Sequence, residues 1–277
     1  MKRKKHDVTI LLVLTFLVGI MIVAYPSFSS YWNFLHQTRV VENYKEAVSS
    51  TDKEKLEEML REAEEYNETL AKSAPKYKMT KQEREIYNAL LNYTGDGVMG
   101  YVTIPKIGVE LPICHGMDEA VLQSSAGHLE WTSLPTGGMN THCVISGHRG
   151  LPSATLFTNL DKLSAGDTFT VTVLSRTLTY EVDQIRIVEP NELSQAQIVP
   201  GEDYCTLLTC TPYGINTQRL LVRGHRIANE RKSPGVIADA VQINTNYVAL
   251  CLSITVLVIL FILVYVRTGV YNRRNRS

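Results

Sequence analysis

The sequence predicts a mainly β protein: a closed, eight-stranded β-barrel preceded by helices and flanked by two transmembrane helices. Two long apolar runs near the ends of the chain predict the membrane helices. A charged stretch with helical periodicity follows the first run. About eight short β-branched segments, separated by turn residues, then predict the barrel.

The apolar runs cover residues 8–25 and 247–266, and neither contains a charged residue. A helix needs about 20 apolar residues to cross a bilayer, so both runs predict membrane spans. Clusters of Lys and Arg lie outside them, at 2–5 and 273–276. Because such residues stay in the cytoplasm, we expect residues 30–245 outside the cell. A cleaved signal peptide is the alternative for the first run, but no small-residue cleavage site follows it.

The 28 basic and 28 acidic residues balance, so the chain gives no reason to expect nucleic acid as a partner. Of five cysteines, Cys251 lies in the second apolar run, and none forms a C-x-x-C pair. The spacing therefore predicts no metal, and nothing predicts a cofactor. We interpret Cys114, Cys143 and Cys205 as structural. A disulfide involving Cys143 or Cys205 stays open, because the expected compartment permits it.

Residues 36–73 show helical periodicity, with Thr51 and Glu54 placed for a capping box. The apolar stripe of this segment consists of Leu56, Met59, Leu60, Ala63, Tyr66 and Leu70. We favour an amphipathic helix packed on the main domain over a spacer that lifts the domain off the membrane. Pro75 ends the pattern, and a second helix is predicted at 81–92.

The predicted strands cover residues 100–104, 109–113, 143–146, 168–174, 178–182, 185–188, 204–209 and 219–222. The predicted organisation is a cytoplasmic tip and anchor (1–30), a helical segment (31–97), the barrel (98–228), a linker (229–246), a membrane helix (247–266) and a basic tail (267–277). The barrel is thus expected to be tethered at both ends.

The segment that carries chemistry reads TLLTC at 206–210, followed by Arg219 after a Pro-Tyr-Gly turn. A strand ending in a cysteine places the thiol at a barrel rim, and an Arg nine residues later can return beside it. This pattern resembles the TLxTC…R signature of sortases. The segment SGHRG at 146–150 resembles the family's histidine segment, and linked motifs match in order over residues 98–227. The most similar subgroup is class C, the pilin-polymerising sortases.

The resemblance implies a cysteine transpeptidase in the membrane of a Gram-positive bacterium. Cys210 would be the nucleophile, His148 the general acid and base, and Arg219 the group that stabilises the oxyanion or holds the substrate. A neighbouring imidazolium and guanidinium would favour the reactive thiolate of Cys210. The implied partner is a pilin or surface protein whose LPxTG-like sorting signal is cut between Thr and Gly. The implied acceptor is a lysine amine of another pilin.

Other residues compete for these roles. Cys210 alone could be a buried core thiol. The rivals of His148 are the histidines His128, His142 and His225. The rivals of Arg219 are Arg223 and Arg226, since Arg219 and Arg223 share a face of a strand. The family motif selects Cys210, His148 and Arg219.

Class C sortases often block their site with an N-terminal lid that carries an Asp-Pro-aromatic motif. The corresponding stretch here reads Ala74-Pro75-Lys76-Tyr77, so the acidic partner of the active-site Arg is missing. Pro75 and Tyr77 are candidate lid residues, with Tyr77 substituting for the aromatic residue of the motif.

Two other functions remain as alternatives. One is a sortase that attaches proteins to a peptidoglycan precursor instead of polymerising pilins. The other is a tethered, non-catalytic β-barrel that binds extended peptides. A papain-like hydrolase does not fit, because its cysteine precedes its histidine along the chain, whereas His148 here precedes Cys210.

Overall fold

The computed structural model describes residues 2–229 and residue 254. Two compact units make up the chain, Met1–Phe28 with Lys232–Ser277 and Ser29–Arg231, and the barrel belongs to the second. The predicted second membrane helix and basic tail, and the predicted linker after residue 229, lie outside the described residues apart from residue 254.

Four α-helices and eight strands are present among the described residues. The helices are α1 (Lys2–Ser49), α2 (Lys53–Lys72), α3 (Lys81–Ala89) and α4 (Glu119–Leu122). The strands are β1 (Val98–Ile104), β2 (Val109–His115), β3 (Ala126–His128), β4 (Thr141–Ser146), β5 (Thr168–Val173), β6 (Arg176–Val188), β7 (Asp203–Thr211) and β8 (Gln218–Ile227).

The strands close into one barrel in the order β1-β2-β3-β4-β7-β8-β6-β5, which confirms the predicted fold class. The pairs β2–β3 and β4–β7 are parallel, and the other pairs are antiparallel. Because β4, β7 and β8 are consecutive in this order, residues from distant parts of the sequence meet on one sheet surface.

Two strand predictions are corrected. The segments predicted as separate strands at 178–182 and 185–188 form one strand, β6, with an irregularity between Val182 and Gln184. Asp183 interrupts the apolar alternation at that point, which made the sequence resemble a turn. Strand β3 was not predicted, because its three residues, Ala-Gly-His, include no β-branched side chain.

Helix α1 runs without interruption from Lys2 to Ser49. Its Val13–Ser49 stretch contains an 18-residue window with a mean hydropathy of 1.8, so the helix is long and apolar enough to cross a membrane. Within the described part of the chain it is the one helix that meets this condition. The finding supports an N-terminal anchor, by length and composition.

Each of the first three helices docks on the barrel through one buried polar side chain. The Tyr44 hydroxyl of α1 donates to the Met99 carbonyl at 2.7 Å. The Asn67 amide of α2 donates to the Leu134 carbonyl at 3.0 Å. The Tyr87 hydroxyl of α3 lies 2.9 Å from Nδ1 of a buried histidine, His128. Buried groups of this kind are costly to leave unpaired, so these bonds fix the helices on the barrel.

The packing of α2 on the barrel is confirmed for part of the predicted stripe, since Leu56, Leu60 and Ala63 are buried. The capping box predicted from Thr51 and Glu54 is wrong. The N-cap residue is Asp52, whose carboxylate accepts from the Glu54 N–H at 3.1 Å. The Thr51 hydroxyl instead donates to the Ala47 carbonyl of α1, at 2.7 Å.

Candidate active site

The three predicted catalytic residues form a row made of neighbouring positions on β7 and β8 and of the segment that follows β4. Cys210 on β7 is the direct cross-strand partner of Arg219 on β8. Side chains opposed in this way lie on the same face, with Cβ atoms about 4.5–5.5 Å apart. The β4–β7 ladder ends at the Ser146–Leu208 pair. Beyond that pair, the Gly147 N–H donates to the Leu208 carbonyl at 3.0 Å and Arg149 donates to the Thr211 hydroxyl at 3.2 Å, so the backbone at His148 lies beside the Cys210 end of β7.

Strand β7 alternates, and its alternation decides where the thiol points. Cys205, Leu207 and Thr209 are buried on one face, which points into the barrel. Leu208 and Cys210 belong to the opposite face and are partly exposed. Cys210 is therefore not a core thiol, and its sulfur lies where a peptide can reach it.

His148 is held by the backbone around it. The Thr209 hydroxyl of β7 donates to the Gly147 carbonyl at 2.7 Å, and the Phe157 N–H donates to the His148 carbonyl at 3.1 Å. A Cβ atom on Gly147 would lie 2.8 Å from the Phe157 ring. Glycine is thus required at this position, because the ring packs directly on the backbone that precedes the histidine.

The loop after His148 is fastened on two sides. Arg149 donates from Nη1 to the Thr211 hydroxyl at 3.2 Å, next to Cys210 in the chain, and pairs with Asp161. The Asn33 amide of α1 donates to the Ser153 carbonyl at 2.7 Å. These bonds tie the histidine loop to the cysteine strand and to the first helix.

The rival histidines are occupied in structural roles. The ring of His142 on β4 bonds at both nitrogens, to the Gln197 carbonyl at 2.8 Å and the Thr206 hydroxyl at 2.7 Å. Burial lowers the pKa of His142 to about 4, which keeps it neutral. His128 is buried between Tyr87 and the Ser133 carbonyl.

The remaining rival, His225, pairs with Tyr204 on β7, six residues before Cys210. At about 3.3 Å per residue, this separates the two rows by about 20 Å. His225 therefore lies too far from the thiol to exchange a proton with it.

The three candidate arginines also differ in whether their side chains are bonded to other protein groups. Arg223 binds both carboxylate oxygens of Asp183, at 3.1 Å and 2.7 Å, and stacks on the Tyr204 ring. Arg226 donates to the Thr179 carbonyl at 3.0 Å. Arg219 donates to two backbone carbonyls of its own turn, and the described residues include no carboxylate within ion-pair distance of it. Its guanidinium can therefore receive an anion or a developing oxyanion.

The candidate lid residues lie at the other end of the sheet. The Tyr77 hydroxyl accepts from the Gln197 side chain at 2.7 Å, and its ring packs edge-on against Trp131, 5.0 Å away. The Gln197 carbonyl is the partner of His142, six residues before His148. Tyr77 and the neighbouring Pro75 are thus not brought to the Cys210 row, and in this arrangement they do not cover the thiol.

Two features were missed or left open by the sequence. Cys143 and Cys205 are cross-strand partners inside the barrel, and both are free thiols. Glu119 on α4 places its Oε2 atom 3.6 Å from Nε2 of His148. No sequence motif connects Glu119 with the histidine 29 positions later.

Within the described residues, no cluster of three or more metal-ligating side chains occurs.

Comparison with known proteins decides the family. The sortase domain model matches residues 102–227. The crystal structure of sortase C1 from Streptococcus agalactiae is 53% identical, has a TM-score of 0.68, and matches 69% of this chain and 100% of its own. The chain belongs to the sortase family.

Further sortase structures agree with this assignment. Sortase C from Streptococcus pneumoniae is 47% identical with a TM-score of 0.61, over 69% of this chain and 97% of its own. Clostridium perfringens sortase C, solved with the C-terminal cell wall sorting motif, is 39% identical with a TM-score of 0.60, over 69% and 99%. These structural neighbours of the sortase are all class C enzymes.

Two curated relatives match a shorter part of this chain. Sortase D from Bacillus subtilis is 30% identical over 131 residues, which is 46% of this chain and 63% of the relative. Sortase A from Streptococcus agalactiae is 30% identical over 45% of this chain and 51% of its own length. The chain thus spans only about half to two thirds of the length of these two relatives.

Proposed function

We propose that this protein is a membrane-anchored transpeptidase that cleaves an LPxTG-like sorting signal between Thr and Gly and joins pilin subunits through lysine isopeptide bonds. The observation that carries the proposal is the row formed by Cys210, Arg219 and His148. The proposal is supported by a partly exposed cysteine paired across strands with an arginine that has no carboxylate partner among the described residues, and by a histidine loop that is bonded to the cysteine strand.

The first half-reaction breaks the Thr–Gly bond. The Cys210 thiolate attacks the Thr carbonyl carbon, an S–C bond forms, and the C–N bond to Gly breaks. His148 gives its proton to the leaving amine nitrogen, so the fragment departs neutral. Arg219 lies next to the thiol and can donate to the oxyanion that forms on the carbonyl.

The second half-reaction transfers the acyl group. A lysine amine attacks the thioester, an amide bond forms, and the S–C bond breaks. His148 takes a proton from the attacking amine, and Cys210 returns to the thiolate. No redox step occurs, and the histidine ends each cycle in its starting protonation state.

The surface beside the row suits an extended peptide. Leu208 of β7 pairs with Leu221 of β8 on the same face as Cys210 and Arg219. Leu208 is partly exposed whereas Leu221 is buried, so Leu208 offers the apolar contact for the leucine and proline of the signal. The C. perfringens relative solved with a cell wall sorting motif, and the S. pneumoniae relative described in terms of pilin substrate specificity, support this substrate class.

A trapping experiment tests the reaction. The full chain in lipid nanodiscs is incubated with a peptide containing Leu-Pro-Glu-Thr-Gly, and the intact mass is measured. We expect an adduct on Cys210 equal to the peptide up to Thr, less one water. Cys210→Ala should give no adduct and reduce turnover by more than about 10³-fold, with an unchanged melting temperature. Peptide binding by both proteins without any adduct would instead indicate the non-catalytic barrel.

Acceptor identity separates the two sortase functions. Co-expression with candidate pilins should give covalent ladders of high mass that depend on Cys210 and contain lysine isopeptide bonds. Single surface proteins linked to peptidoglycan, without ladders, would support the cell-wall-anchoring alternative and contradict polymerisation.

A further inference from the structure

An acidic side chain from outside the row reaches the candidate catalytic histidine. Glu119, the first residue of α4, has its Oε2 atom 3.6 Å from His148 Nε2. Its other carboxylate oxygen, Oε1, accepts a hydrogen bond from the Gln123 side chain at 2.5 Å. The carboxylate is thus divided between two partners, with Gln123 turning the remaining oxygen towards the imidazole.

The imidazole nitrogen that faces Glu119 lacks another hydrogen-bond partner among the described residues. His148 Nε2 is shielded from solvent and has no hydrogen-bond partner within the described part of the chain. A buried N–H without a partner costs about 1–3 kcal/mol, so a nearby acceptor gains from approaching it. A closure of about 0.7 Å would bring the pair to ordinary hydrogen-bond length.

The neighbouring arginine side chains are bonded to groups other than His148. Arg149 pairs with Asp161 and with the Thr211 hydroxyl. Arg219 donates to backbone carbonyls of its own turn. Among the recorded ion pairs of the described residues, Glu119 is therefore the carboxylate that approaches His148.

The fold fixes α4 beside the histidine. The N–H groups of Val121 and Leu122 donate to the Asp118 carbonyl at 2.9 Å and 3.1 Å, which closes the short helix. The strand that follows, β3, pairs with β2 and with β4, the strand that leads to His148. A Cβ on Gly127 of β3 would lie 2.4 Å from the Gly116 carbonyl oxygen, so this connection is closely packed.

We propose that Glu119, oriented by Gln123, is a positioning residue that accepts the Nε2–H of His148 and leaves Nδ1 to exchange protons with the substrate. The proposal rests on the proposed transpeptidase function. The carboxylate holds the ring in one tautomer and orientation, and it stabilises the imidazolium before the leaving amine takes the Nδ1 proton.

Two measurements on the full chain in nanodiscs test the role. The first is turnover of the Leu-Pro-Glu-Thr-Gly peptide with hydroxylamine as acceptor. Glu119→Ala should lower kcat about 10-fold with little change in KM, since Glu119 is exposed and solvent weakens its charge. Glu119→Asp should recover part of the loss, and Gln123→Ala should have a smaller effect. Asp118→Ala, which removes an equal charge one residue away, should leave kcat unchanged.

The second measurement is the ¹⁵N NMR signature of His148 in the Cys210→Ala background, where no turnover occurs. At a pH where the ring is neutral, we expect the Nε2–H tautomer with Glu119 present and a mixture of tautomers in Glu119→Ala. If Glu119 had only a structural role, Glu119→Ala would leave the tautomer ratio unchanged. It would also not lower kcat while KM stays constant.

The outcomes separate this inference from the proposed function. If Cys210→Ala and His148→Ala abolish turnover while Glu119→Ala matches the unmodified protein in kcat and tautomer, the transpeptidase stands and the role of Glu119 is refuted. An equal loss in Asp118→Ala would also refute it, by showing a general charge effect. If the unmodified protein forms no thioacyl adduct, the proposed function itself fails.

Discussion

The two ends of the β4–β7–β8 sheet contain similar residues and have different environments. At one end, His142, Tyr204 and His225 lie side by side, with Arg223 stacked on the tyrosine. At the other end lie Cys210 and Arg219, and His148 follows the end of β4 by two residues. In the first set, His142 and Arg223 are bonded to other protein groups. The second set leaves a guanidinium without a carboxylate partner and an Nε2 atom without a hydrogen bond among the described residues.

The difference shows that residue type does not identify the reactive end. A histidine bonded at both nitrogens and buried, such as His142, stabilises the fold and cannot exchange protons readily. His148 differs, because no hydrogen bond to either of its ring nitrogens occurs among the described residues, so one nitrogen stays available for proton exchange even where Glu119 approaches Nε2. What distinguishes the two ends is the set of partners that the fold supplies.

Exchanging the two histidines for asparagine gives the largest expected contrast. His148→Asn should reduce turnover of the sorting-signal peptide by about 10²–10⁴-fold, because the proton donor is lost. The free energy of unfolding should stay nearly unchanged. His142→Asn should do the opposite, with a loss of about 1–3 kcal/mol in unfolding free energy and near-normal turnover per folded molecule. Equal turnover losses in the two variants would remove the contrast.

The arginines offer a second, smaller contrast. Arg219→Ala should lower kcat/KM by about 10²–10³-fold, since one oxyanion donor is lost. Arg223→Ala is the matched control on the same face of the same strand, and its bonds to Asp183 serve the fold. Steady-state kinetics of both variants decide the matter. A larger kinetic loss in Arg223→Ala would transfer the oxyanion role to that residue.

Acid titration gives the smallest effect and probes the buried end alone. The pKa of His142 is about 4 in the folded protein and about 6.5 when unfolded. Between pH 6.5 and 4 the unfolded state therefore binds more protons than the folded state. The free energy of unfolding should thus decrease by roughly 2–3 kcal/mol as the pH is lowered through this range. Denaturant unfolding at pH 7 and pH 4.5 measures the change. His142→Asn should flatten this pH dependence, and an unchanged slope would show that other groups produce it.

The sequence predicted the barrel better than its individual strands. The predicted number of strands was correct through two compensating errors, because β6 was divided at Asp183 and β3 was missed. A local bulge and a three-residue strand leave no periodic signal. Both are decided by pairing with partners distant in sequence, namely β8 for β6 and β4 for β3.

The candidate site divides similarly. Cys210, His148 and Arg219 were predicted from motif resemblance, and the strand register then explains why they share a row. Glu119 was not predicted, because its contact with His148 depends on how β2, α4 and β3 connect. Tyr77 was assigned to a lid by its position in the chain, but contacts with Gln197 and Trp131 place it at the other end.

The hydrogen bond between Asn33 and the Ser153 carbonyl has a practical consequence for soluble versions of this enzyme. Removing the apolar N-terminal run is the usual way to obtain soluble protein, and a cut after residue 33 would also remove this bond. The loop that follows His148 would then lose its attachment to α1. Truncations that begin at Ser29 keep the attachment, so kinetic constants from shorter versions should show lower turnover than the full chain.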